Sequence, residues 1–252
     1  FQELSPMSSS PAIVWLSANP SFERFSRPLL RYLAQTQNLA LWQYQQHPDE
    51  GSSLDTALVL LHDYIQQSDR RLHLVGHSTG GLLAWLYARQ YPEKVQSVSL
   101  LGVGAYPGVD WQAHYYALQR LLPCPRQVLL AQMVRLLFGK QNHYTTKALI
   151  AVLEKDIATS PSPHSLYQRP SIAPGSVAMP FLVCGSQNDA IADINALKGW
   201  HEWLKPEDSL WTCAQGYHFF HYFYPQLVGD RLLRFWTRSQ AVANLSRSLN
   251  LC

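Results

Sequence analysis

Arg71-Leu72-His73-Leu74-Val75, followed by Gly76-His77-Ser78-Thr79-Gly80-Gly81 and then Leu82-Leu83-Ala84-Trp85-Leu86-Tyr87-Ala88-Arg89-Gln90-Tyr91, is the stretch whose reading decides the fold. The first run is short, apolar and rich in large aliphatics, the composition of a buried strand. The last has helix-forming composition and is stopped by Pro92. A G-x-S-x-G between a strand and a helix is a nucleophile elbow, a serine on a sharp, strained turn that only small flanking residues allow. Such a turn lifts the hydroxyl above the sheet edge and aims a new helix N-terminus at whatever reacts there. Ser78 is therefore the candidate nucleophile.

Outward from this stretch, segments of two hydrophobic periods alternate. Ala12 to Leu16, Leu39 to Tyr44, Val95 to Gly102, Pro180 to Cys184 and Ser209 to Cys213 read as further strands. Leu54 to Gln67 places Leu54, Ala57, Leu58, Leu61 and Ile65 on one helical face, with Ser53 as its expected cap. Asp193 to Leu204 and His221 to Thr237 read as later helices. This alternation predicts an α/β fold, a mostly parallel doubly wound sheet with right-handed crossovers and helices on both faces. Reactive groups in such sheets collect at the carboxyl ends of the strands.

The rhythm breaks from about Ala105 to Ala178. Helical stretches at Trp111 to Leu122, Arg126 to Phe138 and Thr145 to Thr159 lead into a Pro/Ser-rich passage from Ser160 to Pro174, with no strand pattern. We expect residues 105–178 to be a helical lid inserted between two parts of one core domain, residues 1–104 and 179–252. Val128, Leu129, Met133, Leu136, Leu137 and Phe138 give the second of these helices a wide apolar face, suited to core packing, to lining an acyl pocket or to touching a membrane surface. Arg120, Arg126 and Arg135 would favour an anionic substrate only if they turned inward.

Composition bounds the remaining classes. At 252 residues with 47% hydrophobic and 15% charged residues, the chain suits one folded domain with an insertion. A net charge of +3 without a Lys/Arg cluster argues against a nucleic-acid partner. No apolar run approaches the roughly 18 residues of a membrane span, and Pro11 to Leu16 is too short for a signal peptide. Met7 is a candidate start of the chain. Cys124, Cys184, Cys213 and Cys252 show neither close pairing nor metal-ligand spacing, so a reducing, cytoplasmic setting is expected, with Cys184 and Cys213 buried as small hydrophobes. Oligomeric state is not encoded in any pattern we recognise.

A serine hydroxyl needs a base to accept its proton, and the base needs a third group to fix its tautomer. In this architecture they follow in the order serine, acid, histidine. Of the ten histidines, His218 follows the strand Ser209 to Cys213 and precedes the last helix, with His221 one turn beyond as its rival. His77 should point away from the site. Asp189, in the loop after Pro180 to Cys184, is the expected acid, and Asp193 the alternative, although its position is that of a helix N-cap.

Leu74-Val75-Gly76-His77-Ser78-Thr79-Gly80-Gly81 and the segment His218-Phe219-Phe220-His221 through Pro225 resemble the elbow and histidine segments of the α/β-hydrolase superfamily. The branch is that of small single-chain esterases, lipases, C–C hydrolases and their dehalogenase cousins, and the resemblance runs from Ala12 onward. It implies the α/β-hydrolase fold with Ser78, His218 and Asp189 as nucleophile, base and acid acting on a small-molecule substrate. No metal or cofactor is called for, since these three groups supply the chemistry together. A serine where dehalogenases carry aspartate points away from dehalogenation.

Three departures stand out. Leu16-Ser17-Ala18-Asn19-Pro20 occupies the place where the family carries His-Gly, so the two oxyanion-hole N–H groups are expected from Thr79 and Asn19. Asp189 falls one place later than the usual acid, with Asn188 at the usual place. The first strand comes so early that no antiparallel hairpin is expected ahead of it. The leading expectation is hydrolysis of a carboxylic ester or thioester of an apolar molecule. The alternatives are C–C cleavage, elimination or acyl transfer by the same residues, or a non-catalytic binding protein on the same fold.

Overall fold

A computed structural model describes residues 11–47, 49–51, 53–162 and 172–249, with side chains through residue 240. Met7, Cys252 and much of the Pro/Ser-rich passage lie outside the described residues. Six strands, β1 (Ile13–Ser17), β2 (Leu39–Gln43), β3 (Leu72–His77), β4 (Val95–Leu101), β5 (Phe181–Ser186) and β6 (Ser209–Cys213), form one sheet in the order β2-β1-β3-β4-β5-β6. Every neighbouring pair is parallel, so all strand carboxyl ends point the same way. The chain runs outward from β1 to β2 and then returns to β3 on the other side of β1. That reversal makes the gap between the ends of β1 and β3 a topological switch point.

Two-residue alternation along the strands divides the core into two layers. Val14 and Leu16 of β1 join Leu72 and Leu74 under α2 (Asp55–Gln66) and α3 (Thr79–Gln90), which contribute Leu61, Ile65, Leu83 and Trp85. Ile13 and Trp15 face the other way, beneath α1 (Glu23–Leu33) and the long C-terminal helix. The sheet is thus covered on both faces, as all-parallel sheets must be.

Helix α1 has no counterpart in the sequence reading. Pro28 sits inside it, and Glu23, Arg24, Arg27 and Arg31 interrupt its apolar residues. Pro28 lies early enough that the carbonyl it forgoes belongs to Arg24, in the first turn, so the disruption is small. Phe25, Leu29, Leu30 and Leu33 are buried, and packing of that stripe overrides the weak local signal.

Between β4 and β5 stand three helices, α4 (Trp111–Leu121), α5 (Arg126–Phe138) and α6 (His143–Thr159). Helix α6 begins two residues before the expected start because Asn142 caps it, its side chain accepting from the Thr145 N–H at 2.8 Å. The three helices share a third apolar cluster with Phe22, Phe25, Ile191 and Phe219, residues from loops and helices beyond the strand ends. Val128 is exposed, whereas Leu129, Met133, Leu137 and Phe138 are buried. Arg120, Arg126 and Arg135 all face outward, which removes the basis for an inward basic cluster.

Two later helices differ in extent from expectation. The Asp193-to-Leu204 helix is a short α7 (Ile194–Lys198) that tightens into a 3-10 turn at Gly199–Glu202. The last helix is broken into α8 (Phe220–Phe223) and α9 (Pro225–Leu249). Pro225 excludes Tyr224 from the helical region, and Tyr224 adopts φ −129°, ψ 57°. Ser53 does not cap α2 from the expected place: its Oγ accepts from the Asp55 N–H at 3.1 Å, while Leu54 holds the cap position. No helix among the described residues is long and apolar enough to cross a membrane. Cys124, Cys184 and Cys213 are free thiols.

Candidate active site

Ser78 stands between β3 and α3 at φ 51°, ψ −124°, a region that costs a non-glycine residue about 1–3 kcal/mol. The surroundings leave no alternative path. A Cβ on Gly76 would lie 2.4 Å from the Gly80 carbonyl carbon, and one on Gly80 would lie 2.2 Å from the Leu16 carbonyl oxygen. Strand, turn and helix therefore close on each other only because both positions lack side chains, and the elbow is pressed against the end of β1. The Ser78 N–H donates to the Leu101 carbonyl at 2.9 Å, and its own carbonyl accepts from the Leu82 N–H at 2.9 Å. Thr79 opens α3, so its N–H is one of those at a helix start without a partner inside the helix.

His218 and Asp189 meet across the ends of β6 and β5. Asp189 is buried; its Oδ2 accepts from His218 Nδ1 at 2.9 Å, and its Oδ1 accepts from the N–H groups of Ile191 and Ala192 at 2.7 and 3.2 Å. Because a carboxylate only accepts, Nδ1 carries a proton, and in the neutral ring Nε2 is then the nitrogen with the free lone pair. Nε2 is buried and has no hydrogen-bond partner among the described residues, so Ser78 Oγ has not closed onto it. Such bonds are often long before substrate arrives.

The two rivals are occupied elsewhere. Asp193 caps α7, its Oδ1 accepting from the N–H groups of Asn195 and Ala196 at 2.8 Å each. His221 lies 3.5 Å from Ser26 Oγ through Nε2, and burial pushes its pKa down to about 3.

Several supporting residues escaped the sequence reading. His77 is expected to point away from the site, but its Nε2–H donates to the His218 carbonyl at 2.9 Å and its ring lies 4.6 Å from the His218 ring. Burial, and then the neighbouring His221 and His218, hold its pKa well below the ordinary value, so it is a neutral donor. Asn188, at the family's usual acid position, accepts at Oδ1 from the Tyr217 N–H at 2.9 Å and from Ser186 Oγ–H at 2.8 Å. It ties the acid loop to the turn at Gly216 (φ 123°) and Tyr217 (φ 53°) that presents His218. From α4, His114 hydrogen-bonds to the backbone of Ile191, while its Nε2 is buried and unpartnered among the described residues. Burial and the nearby His218 lower its pKa.

Asn19 closes the group, at the end of β1. Its carbonyl accepts from the Phe22 N–H at 2.9 Å, and its side-chain amide donates to Asp156 of α6. No cluster of three or more His, Cys, Asp or Glu side chains suited to a metal ion occurs among the described residues.

Comparison with known proteins agrees with this architecture. Residues 66–122, which contain the elbow and α3, match the family profile described as "alpha/beta hydrolase fold". The chain is 47% identical over 230 residues to the uncharacterized protein alr2406 of Nostoc sp. (strain PCC 7120 / SAG 25.82 / UTEX 2576), covering 91% of this chain and 92% of that one. Among solved structures it superposes on naproxen esterase (carboxylesterase NP) from Bacillus subtilis with a TM-score of 0.67 at 17% identity, covering 92% and 85% of the two chains. It also superposes on the meta-cleavage product hydrolase CumD from Pseudomonas fluorescens IP01 with a TM-score of 0.68 at 12% identity, covering 92% of each chain. At such identities these structures speak for the fold.

Proposed function

Because the chain belongs to the α/β-hydrolase superfamily, we propose that it is a serine hydrolase cleaving a carboxylic ester or thioester of an apolar small molecule. One observation carries the reading. Ser78 is held on a strained elbow, its N–H bonded to the Leu101 carbonyl, and a Cβ on the next residue, Gly102, would lie 3.3 Å from Cε1 of the buried His218, whose Nδ1 is committed to Asp189 and whose Nε2 has no hydrogen-bond partner among the described residues.

On this reading Ser78 Oγ attacks the acyl carbonyl while His218 Nε2 takes its proton, and Asp189 stabilises the imidazolium that results. The carbonyl oxygen becomes an oxyanion and is met by the N–H groups of Thr79 and Asn19, in a site from which water is largely excluded. As the tetrahedral intermediate collapses, the carbon–oxygen or carbon–sulfur bond breaks and His218 hands its proton to the departing alcohol or thiol. A water molecule, deprotonated by the same nitrogen, then attacks the acyl-enzyme and regenerates Ser78. Helices α4 to α6 serve as the cover over this site, and their apolar inner faces suit an apolar acyl or alcohol group. The free thiols of Cys184 and Cys213 fit a cytoplasmic setting.

A fluorophosphonate probe and a series of p-nitrophenyl esters of increasing acyl length test the proposal together. Wild type is expected to be labelled and to turn over at least one ester, and Ser78→Ala to lose both. A wild type that resists labelling in its native state would sink the activated-serine reading.

A further inference from the structure

We propose that Asp156 is a positioning residue for the oxyanion hole, anchoring Asn19 from helix α6 so that the covering helices and the loop after β1 act as one unit. The inference rests on the serine-hydrolase reading and extends it to residues outside the elbow, the acid loop and the histidine loop.

Asp156 is fully buried, yet among the described residues no cation pairs with it. Its carboxylate gathers neutral donors from three separate parts of the chain. Asn19 Nδ2, from the loop after β1, donates to both oxygens at 3.2 and 3.1 Å. From α4 come Trp111 Nε1 at 2.9 Å and Gln112 Nε2 at 3.4 Å. Ser160 Oγ, at the end of Asp156's own helix, donates at 2.6 Å. A buried carboxylate without a counter-ion is expensive, and here burial raises its pKa to about 6. A plain helix-packing position would be served more cheaply by an apolar residue. What a carboxylate supplies is acceptor capacity alone, two oxygens able to receive every one of these N–H and O–H groups without presenting a donor of its own.

The consequence falls on Asn19. Its carbonyl is fixed by the Phe22 N–H at 2.9 Å and its side chain by Asp156, so the residue is held from both ends. The strand that leads into this loop is pressed on the elbow at the contact between Leu16 and Gly80. The loop lacks the glycine whose small turn the family uses there, and the amide–carboxylate link takes over the work of setting its direction. The hole is complete only when α4 and α6 are seated, because α6 carries the carboxylate that holds Asn19 and α4 the side chains that hold the carboxylate.

Phosphonylation of Ser78 tests this without a known substrate, since the phosphonyl oxygen develops charge in the same hole. The rate at saturating fluorophosphonate and the half-saturating concentration are measured for wild type, Asn19→Ala, Asp156→Asn, Asp193→Ala and Ser78→Ala, with thermal melting of each. Asn19→Ala keeps the backbone N–H and loses only the anchor. It and Asp156→Asn are expected to slow the maximal rate roughly 10- to 100-fold, less than or comparable to outright loss of a hole donor, with the half-saturating concentration little changed. Asp193→Ala, which loses the cap of α7 but removes neither Asn19 nor Asp156, is expected to melt earlier yet react at the wild-type rate. Maximal rates within about twofold of wild type for both Asn19→Ala and Asp156→Asn would overturn the proposal and leave Asp156 a packing residue. If Asp156→Asn fails to fold, Asn19→Ala decides alone. Labelling that survives Ser78→Ala overturns the serine reading itself, a result distinct from the loss of the anchor.

Discussion

The Asp189 carboxylate meets His218 Nδ1 at 2.9 Å and spends its other oxygen on two backbone N–H groups of its own loop. The acid is thereby fixed in direction before it touches the histidine. Asp189→Asn would put an amide opposite the ring and favour the tautomer with the proton on Nε2, where no base is left for Ser78. Turnover of a p-nitrophenyl ester is expected to drop by about four orders of magnitude, as in other triads so altered. Asp193→Asn, four residues along, is expected to retain turnover. Equal losses in both variants would mean that the acid has been misassigned.

Ser78 carries backbone strain that its proposed role as nucleophile accounts for. At φ 51°, ψ −124° glycine meets no Cβ penalty, and among the described residues no hydrogen-bond partner of the Ser78 side chain is lost on truncation. Ser78→Gly is expected to stabilise the fold by about 1 kcal/mol, the relieved strain being offset in part by the freer unfolded chain, while abolishing labelling and turnover. Urea unfolding gives the answer directly. A Gly variant less stable than Ser78→Ala would show that the turn is not strained.

His77 holds the carbonyl of the histidine it stands behind. His77→Phe keeps an aromatic ring in the cluster formed with His218, Phe219 and His221 but leaves that buried carbonyl without its donor. The cost is expected at about 1–3 kcal/mol of stability. A fall in kcat with KM unchanged should accompany it, because the loop that presents His218 loses its brace. Stability lost with kcat intact would confine His77 to packing.

The sequence reading reached farthest where local signals and chemistry coincide. The elbow and the six strands are short-range patterns, each legible from its hydrophobic period and flanking turn residues. Helix α1 was missed because its polar face and Pro28 mask a buried stripe that only tertiary packing reveals. Asn188 stood at a noted position, but its bond to the Tyr217 N–H joins two loops far apart in sequence. Asp156 gave no signal at all: one acidic residue in a helix reads as a solvated face. Its burial depends on Asn19, Trp111 and Gln112 converging from elsewhere in the chain.

Acid should loosen this fold well before ordinary carboxylates are protonated. Burial lowers the pKa of His73 to about 4 and of His221 to about 3, and holds His77 and His114 below the ordinary value. In the unfolded chain each titrates near 6.5. As pH falls through that value the unfolded state takes up protons that the folded state refuses, and each histidine then removes up to about 1.4 kcal/mol of stability per pH unit. The loss continues until the folded pKa is reached. Asp156 acts in the opposite sense, since its folded pKa of about 6 lies above the unfolded value near 4. Its contribution is fully present below the unfolded pKa and is lost as pH rises through the folded one, so it offsets part of the histidine effect between those values. Four histidines outweigh one carboxylate, and the urea midpoint is expected to fall steadily from pH 7 to pH 5. His221→Phe, which removes one buried imidazole whose Nδ1 has no partner among the described residues, should make that slope shallower. A midpoint that holds level or rises over this range would mean that these histidines are charged in the folded state, and would count against the neutral His77 that braces His218.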